Sequence, residues 1–469
     1  MTSEDSFPPV PHSGGAEDTI VAIATPHGKG GLGVVRLSGP RSREITAQLL
    51  DVAELHPGQV RLARFRDRDG ETLDEVLATW FRAPRSYTAE DVVEVSAHGS
   101  PVLLAALVER ALQAGARLAE PGEFTRRAFL NGRIDLTQAE AVRDLIDAQT
   151  LFQARTAARQ LGGSMARRLQ PLKDRLKELI ALMEAGIDFA DDDVSYLGYD
   201  QILDRIGELT ETLARMIDGF RQGRTIREGL VLAIVGRPNV GKSSLFNRLL
   251  EADRAIVTAA AGTTRDLVSE SWSLEGIPLR LVDTAGIREA TEEAEQIGIR
   301  KSWEAVADAD LVLAVLDSSA APLEEDRALL RHVAELPGVE LVLNKGDLPG
   351  TWRENWSREL AEILPGRQPL VVSAVTGEGI DGLRTAICRR ALPDLGHNSE
   401  YVTNIRHAEH LRRCREALIR AGAGAELMTP HEVLMVDLYE ALAELDAITG
   451  QTTVEDILGL IFSTFCIGK

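Results

Sequence analysis

Cysteine is nearly missing from this chain. Three residues in 469, Cys388, Cys414 and Cys466, stand at no metal-ligand spacing. An odd, sparse set fits a reducing, cytoplasmic compartment better than a disulfide framework. Also lacking is any apolar run long enough to cross a bilayer, so no membrane partner is expected. The opening "MTSEDSFPPVPHSGGAED" has neither the basic start nor the apolar stretch of a secretion signal, and it reads as a disordered extension over 1–18. Positive charge is in deficit: 52 Lys and Arg against 72 Asp and Glu leave a formal net charge of −20. Such a chain does not adhere to nucleic acid indiscriminately, so an RNA partner must be held by a local basic patch.

What is present is enough chain for about three domains. From Thr19 to Arg133 the text is β-rich with one or two helices. "TIVAIATPHGKGGLGVVRLSG" places short apolar strands around a Gly-rich loop, "VRLARFRDRDGETLDEVLATWFRA" is two strands around an Asp69-Gly70 turn, and "PVLLAALVERALQAGAR" is a helix with a glycine stop. Helical text runs from residue 134 to about 228, opened by a Thr137/Glu140 capping-box signature and interrupted at "IDFADDDVSYLGYD", an acidic patch that could pass for a metal loop but lacks the EF-hand spacing and glycine, and otherwise reads as a solvated interhelical turn. From 229 to 394 strands and helices alternate: "LVLAIVG", "IPLRLVD", "LVLAVLD", "VELVLN" and "PLVVSA". Alternation of that kind predicts a mostly parallel sheet covered by helices. From 395 to 469 the text is helical again. An α/β insert splitting one helical domain is the simplest topology, because the ends of an inserted domain lie close together.

"GRPNVGKSS" fits G-x-x-x-x-G-K-[ST] between an apolar strand and a helix. Its backbone from Asn239, Val240 and Gly241 to Ser244 can curl around phosphates, Lys242 can reach the β and γ oxygens, and Ser243 can give its hydroxyl to Mg2+. "DTAG" (Asp283, Thr284, Ala285, Gly286) ends the next apolar strand, with Asp283 placed to hold Mg2+ through water. Between them Thr264 can complete the Mg2+ shell. "NKGD" (Asn344, Lys345, Asp347) ends another strand; the Asp347 carboxylate can accept from guanine N1 and N2, a pair adenine does not offer. Ser373 and Ala374 follow the last strand and can meet guanine O6. Four elements in this order resemble the P-loop GTPase superfamily over about 165 residues. Two departures narrow the resemblance. The residue after "DTAG" is Ile287, which cannot position water as a glutamine does, and no internal arginine finger is evident near Arg265 or Arg288. The Asn239 carbonyl oxygen can ligate a monovalent cation beside the phosphates, or Asn239 can serve only as a turn residue.

The flanks narrow it further. "TPHGKGGLGVVRLSG", "YTAEDVVEVSAHG", "PGEFTRRAFLNGRIDLTQAEAV" and the closing "FCIGK" resemble the MnmE (TrmE) family of tRNA-modification GTPases from Thr19 to Lys469. The resemblance implies a multi-domain α/β chain: a disordered extension over 1–18; an α+β tetrahydrofolate-binding and dimerisation domain over 19–133; a split all-α helical domain over 134–228 and 395–469; and an inserted Ras-like doubly wound P-loop GTPase domain over 229–394. It implies a homodimer that works with the flavoprotein MnmG (GidA), which carries FAD. Together they add a (carboxymethyl)aminomethyl group at C5 of wobble uridine in certain tRNAs, with a one-carbon unit from 5-formyltetrahydrofolate or methylenetetrahydrofolate. GTP hydrolysis is implied to depend on K+ and on contact between two GTPase domains.

By the same resemblance, K+ contacts fall on Asn239, Thr258, Ala260 and Thr263, and Mg2+ on Ser243 and Thr264. The GTP site takes in the whole of Thr258, Ala259, Ala260, Ala261, Gly262, Thr263 and Thr264. The acid that orients the attacking water falls on Glu295; read from the residues alone, it is one solvated charge among Glu292, Glu293 and Glu295. Folate contacts fall on Arg36, Glu94, Arg133 and Lys469. Thr452 and Glu455 read as a capping box for a helix whose apolar face carries Val454, Ile457, Leu458, Ile461, Phe462 and Phe465. Docking of that helix would bring Cys466 and Lys469 to folate, with Cys466 either a nucleophile or a packed thiol. Arg126, Arg127 and Arg133 in one segment, and Arg406, Arg412, Arg413, Arg415 and Arg420 in another, are RNA candidates or solvated helix faces. The competing readings are a ribosome-assembly GTPase switch, for which neither a second GTPase domain nor a G-x-x-G module is found, and a folate-dependent aminomethyl transferase with a regulatory nucleotide domain.

Overall fold

A computed structural model of the chain describes residues 18–52, 54–188, 197–251, 272–274, 276–282, 306, 309–334, 336, 338–349, 353–391, 402–451, 461, 462, 465, 466 and 468. Within the first stretch lie β1 (Ile20–Ile23), β2 (Gly30–Ser38), α1 (Ser42–Leu49), β3 (Leu50–Asp51), β4 (Val60–Arg66), β5 (Thr72–Phe81), β6 (Val92–Gly99), α2 (Pro101–Gln113), β7 (Arg117–Leu118) and α3 (Glu123–Leu130). The strands form one sheet in the order β3-β4-β5-β6-β2-β1-β7, with β7 parallel to β1 and the other pairs antiparallel. Period-two alternation decides which face is covered. Val76, Ala78 and Trp80 of β5 pack with Ile45 and Leu49 of α1 and Leu104 and Leu107 of α2. The opposite face carries Arg36 and Glu94, set directly across from each other by register. Asp18, expected to end a disordered extension, is instead held between Arg117 (2.7 Å) and Arg127 (2.6 Å), because both guanidinium groups need a carboxylate where β1 begins.

Five helices follow: α4 (Leu136–Ile146), α5 (Leu151–Leu161), α6 (Ser164–Asp188), α7 (Tyr199–Asp218) and α8 (Phe220–Glu228). The cap of α4 differs from the expected one. Asp135, not Thr137, is the N-cap, and its box partner is Gln138. Thr137 donates to Asp135 instead, and Glu140 points inward to Arg406 and His407.

The second sheet comprises β8 (Leu230–Val235), β9 (Trp272–Leu274), β10 (Ile277–Val282), β11 (Leu311–Asp317), β12 (Val339–Asn344) and β13 (Leu370–Val371). Its helices are α9 (Lys242–Glu251), α10 (Glu324–Ala334), α11 (Arg353–Ile363) and α12 (Ile380–Ala391). The order is β13-β12-β11-β8-β10-β9, parallel except for β9. All seven residues of β11 and all six of β12 are buried, as continuous apolar runs in a doubly covered sheet must be. The strand order reverses at β8, which opens a crevice at the C-terminal strand ends.

The chain then returns to α13 (Ile405–Glu426) and α14 (His431–Thr449). These complete one core with α6 and α7: Leu169, Leu176, Ile206 and Leu213 pack with Leu411, Leu418, Leu438 and Leu445. Among the described residues, none of the members of that core lies between 229 and 401. Among the described residues, no helix is long and apolar enough to cross a membrane.

Candidate nucleotide and folate sites

β8 delivers the chain to Gly236, and α9 begins at Lys242, so the phosphate loop sits in the crevice at the strand-order reversal. Asn239 is exposed at the loop's tip, with a left-handed φ of +64°. Gly241 has φ +93°, and a Cβ there would stand 2.4 Å from Asn344 Nδ2. The crowding has a purpose. Asn344 is buried; its Nδ2 donates to Val240 O (2.9 Å), and its Oδ1 accepts from Ala374 N (3.1 Å). One side-chain amide therefore clamps the phosphate loop to the loop expected to face guanine. Lys242 Nζ donates to Gly236 O (2.7 Å) and Arg237 O (2.9 Å), and burial pushes its pKa below the ordinary lysine value. Arg237 is anchored in turn on fully buried Asp326 of α10 (3.2 Å).

On the guanine side, Lys345 takes φ +63° and reaches Asp317 Oδ2 (2.6 Å). Burial acts upward on the Asp317 carboxyl, but hydrogen bonds from Lys345 and Ser319 outweigh it and hold the pKa below its ordinary value. Trp356 Nε1 fixes the same turn by donating to Asp317 O (3.0 Å). Ser373 Oγ donates to Asp347 Oδ1 (2.6 Å), which orients an exposed carboxylate. The structure thus brings together Asn239, Val240, Gly241, Lys242, Ser243, Ser244, Asn344, Lys345, Asp347, Ser373 and Ala374. Thr258, Ala259, Ala260, Ala261, Gly262, Thr263, Thr264, Asp283, Thr284, Ala285, Gly286 and Glu295 lie outside the described residues. Val282, next to Asp283, pairs with Ala233 of β8, so β10 points the same way as β8. Sequence reasoning did not find Asp317 or Trp356; "LVLAVLD" signalled a strand, and nothing in it singles out its last carboxylate.

Ser243 lies exposed in the first turn of α9, and a hydroxyl oxygen there suits a hard divalent cation. The Asn239 amide carbonyl at the loop tip suits a monovalent one.

The folate candidates lie on the first sheet. Arg36 Nε donates to Glu94 Oε1 (2.8 Å), and its guanidinium stands over the rings of Tyr87 (5.3 Å) and Phe124 (5.7 Å). Tyr87 shares a hydrogen bond with Thr125 (2.8 Å), and burial raises its pKa. Neither ring was expected at this site, although aromatics are only 4% of the chain and two beside one arginine are notable. The closing segment arrives here. Phe462 and Phe465 pack with Phe129 of α3 and Leu136, Ala139 and Val142 of α4. Cys466 O accepts from Gly122 N (3.5 Å), and Arg36 Nη1 contacts Gly468 O (3.5 Å). Gly468 has φ +97°, and a Cβ would fall 2.2 Å from Ile23 O, so no other residue fits. Cys466 is exposed. Arg133 is exposed just beyond α3. Lys469 lies outside the described residues, as do the Thr452/Glu455 cap, Val454, Ile457 and Leu458.

Two RNA candidates are corrected. Arg127 is 4% exposed and is held by Asp18, Glu90 and Glu123. Arg406 is committed to Glu140 and to Ala447 O and Ile448 O. Buried carboxylates claim both side chains. Arg413 pairs with Glu409, and Arg420 with Asp437 and Glu440, at the surface.

Comparison with known proteins gives two family matches: residues 19–133 match "GTP-binding protein TrmE N-terminus", and residues 136–466 match "MnmE helical domain". The chain is 56% identical over 462 residues to the tRNA modification GTPase MnmE of Koribacter versatilis, covering 97% of this chain and 99% of that one. It is 43% identical to the protein of the same name from Aquifex aeolicus, covering 96% and 100%. The Azoarcus protein of that name is 45% identical, covering 96% and 98%.

Proposed function

The chain belongs to the MnmE family of tRNA modification GTPases, and from that membership we propose how its residues divide the work. Its reaction is GTP hydrolysis in the service of covalent change at C5 of wobble uridine in tRNA. With a flavoprotein partner of the MnmG type carrying FAD, the homodimer would add a (carboxymethyl)aminomethyl group, taking the one-carbon unit from a tetrahydrofolate. The proposed division is 19–133 for folate and dimerisation, 134–228 and 395–469 for the helical domain, and 229–394 for the GTPase domain. The observation that carries this reading is the near-full-length match to relatives of that name.

In the nucleotide site, Lys242 exchanges its two loop carbonyls for β and γ oxygens, and the Gly241 to Ser244 amides at the start of α9 complete the anion cradle. Asp347 would accept from guanine N1 and N2, and the Ser373-Ala374 backbone would meet O6, with Ala374 N leaving Asn344 Oδ1 to do so. Ser243 and Thr264 would hold Mg2+, and Asn239, Thr258, Ala260 and Thr263 would hold K+; together these cations would supply positive charge beside the phosphates where other GTPases place an arginine. Glu295 orients water in place of the glutamine that Ile287 replaces. In the folate site, Arg36 and Glu94 would form the polar floor and Tyr87 the apolar wall, with Phe124 buried behind Arg36, and Arg133 and Lys469 would take the anionic end of the ligand. The Arg36–Glu94 pair beside two rings supports that assignment.

The decisive experiment is mass spectrometry of wobble uridines in tRNA from cells lacking this protein. Loss of the C5 substituent is expected; an unchanged nucleoside profile would return the chain to the ribosome-assembly class.

A further inference from the structure

The inserted sheet stands on α5 and α8. Phe152 of α5 packs into the sheet's own core, and a Cβ on Gly276, at the β9–β10 turn, would lie 3.1 Å from Phe152 Cβ. Gln153 Nε2 donates to Arg227 O at the end of α8 (2.8 Å). Arg227 itself donates through Nε (3.0 Å) and Nη2 (2.8 Å) to Asp144 Oδ1 of α4. Three residues after Arg227 the chain enters β8, which ends at the phosphate loop; Gly276 begins the hairpin arm that becomes β10, which ends just before Asp283. The feet of both phosphate-bearing strands therefore rest on one small cluster of the helical unit.

Beside that cluster is a half-open cavity of about 450 Å³, lined among others by Asp144, Asp147, Gln153, Gln160, Arg227 and Thr403. Gln160 Nε2 donates to Thr403 Oγ1 (2.8 Å). Thr403 follows the inserted sheet in the chain and Arg227 precedes it, so the segments leading into and out of the insert line the same space. Close-packed interfaces move by switching between discrete arrangements, and a void against the contact gives the second arrangement somewhere to go.

We propose that Asp144, Gln153 and Arg227 are positioning residues that pass the movement of the nucleotide-bearing strands to the helical domain, so that hydrolysis is coupled to tRNA modification. This rests on the modification reading above, and the test has one arm that does not. In the full chain carrying Cys466→Ser, spin labels at Glu208→Cys on α7 and Glu325→Cys on α10, both exposed, report the distance between the helical domain and the insert. Dilution with unlabelled chain removes signals between protomers. The intact strut should give a narrow distribution that shifts between GDP and a non-hydrolysable GTP analogue. Arg227→Ala and Asp144→Ala should broaden it and abolish the shift; Gln153→Ala, which spares the ion pair, should do so in part. In the second arm, the full chain with its flavoprotein partner and tRNA is assayed for modification per GTP hydrolysed. That ratio should fall roughly tenfold, the scale of a lost charged hydrogen bond, while GTP KM and kcat stay near those of the parent. The Asp144→Ala/Arg227→Ala double variant should fall no further than either single one, and Arg227→Lys should recover part of the loss. Unchanged distance distributions would overturn the proposal, and so would KM, kcat and modification falling together. Normal distance shifts lost in the variants, with no modification even by the parent, would uphold the strut and reject the modification reading instead.

Discussion

At the scale of residues, the buried Asn344 side chain ties the phosphate loop at Val240 to Ala374. "GRPNVGKSS" and "NKGD" announce themselves because backbone amides, a lysine and a carboxylate must sit at fixed short spacings. The Asn344 clamp could not be read, since it joins groups 104 and 30 positions apart. Gly241→Ala should therefore do more than strain a turn: its Cβ would drive Asn344 off Val240, and nucleotide binding measured by fluorescence titration should be lost while β8 and β11 remain folded. Asp347→Asn should lose its preference for guanine, a discrimination that can reach about 10⁴-fold in a polar site. Competition between GTP and ATP measures it, and retained selectivity would place guanine recognition elsewhere. Among thiols, burial pushes Cys414 up to about 12 and Cys388 is buried, whereas Cys466 is exposed. Brief alkylation of the native chain near pH 8 should modify Cys466 first, as peptide mass mapping would show.

At the scale of elements, the five apolar runs read as parallel strands are β8, β10, β11, β12 and β13; among the described strands of that sheet, the short antiparallel β9 is the one the apolar runs do not show, having three residues and no periodicity to betray it. The start of α4 was misread for a different reason. "DLTQAE" satisfies the capping pattern twice, at Asp135/Gln138 and at Thr137/Glu140, and the choice is made by residues far away in the chain. Glu140 is drawn inward by Arg406 (2.8 Å) and His407 (2.7 Å), more than 260 positions on. Burial alone would raise the Glu140 pKa; His407 and Arg406 beside it hold it far below the ordinary range. A depressed carboxyl contributes stability that is full above the unfolded value of about 4.3 and is lost as pH falls below it. Glu140→Gln should destabilise the fold at pH 7 by up to roughly 3–5 kcal/mol, the cost of removing one member of a buried pair, read as a lower urea midpoint. It should also flatten the fall in stability between pH 5 and acid, as midpoints measured across that range would reveal. The closing segment belongs to this scale as well. Deleting Cys466 to Lys469 removes the Gly468 contact with Arg36 and should weaken folate binding by about tenfold, the scale of a charged hydrogen bond, with GTP affinity unchanged. Equal folate affinity in calorimetry would reduce "FCIGK" to a helix terminus.

At the scale of the whole molecule, a net charge of −20 is reconciled with a tRNA substrate only if the exposed arginines are few and well placed. Arg127 and Arg406 are withdrawn by buried partners, so neither serves that contact. Hydrolysis of GTP should run faster in K+ than in Na+, with the gap narrowed in Asn239→Ala; phosphate release in matched salts decides it, and equal rates would make Asn239 a turn residue. The split helical core has one more consequence, and it concerns the time at which each part can fold. Lys173 of α6 meets Thr449 across 276 positions, and α7 packs on α13 from the far side of the insert. During synthesis α6 and α7 must wait with Leu169, Leu176, Ile206 and Leu213 uncovered until α13 and α14 emerge. The inserted sheet need not wait, because its own core lies almost wholly within itself. By folding first it draws its two ends together and shortens the loop the helices must close, a saving of about 0.6 kcal/mol for each halving of length. A nascent chain halted at Ala391 should already retain GTP while its helices still bind a hydrophobic dye, and for that interval the order of assembly is set by the guest, not the host.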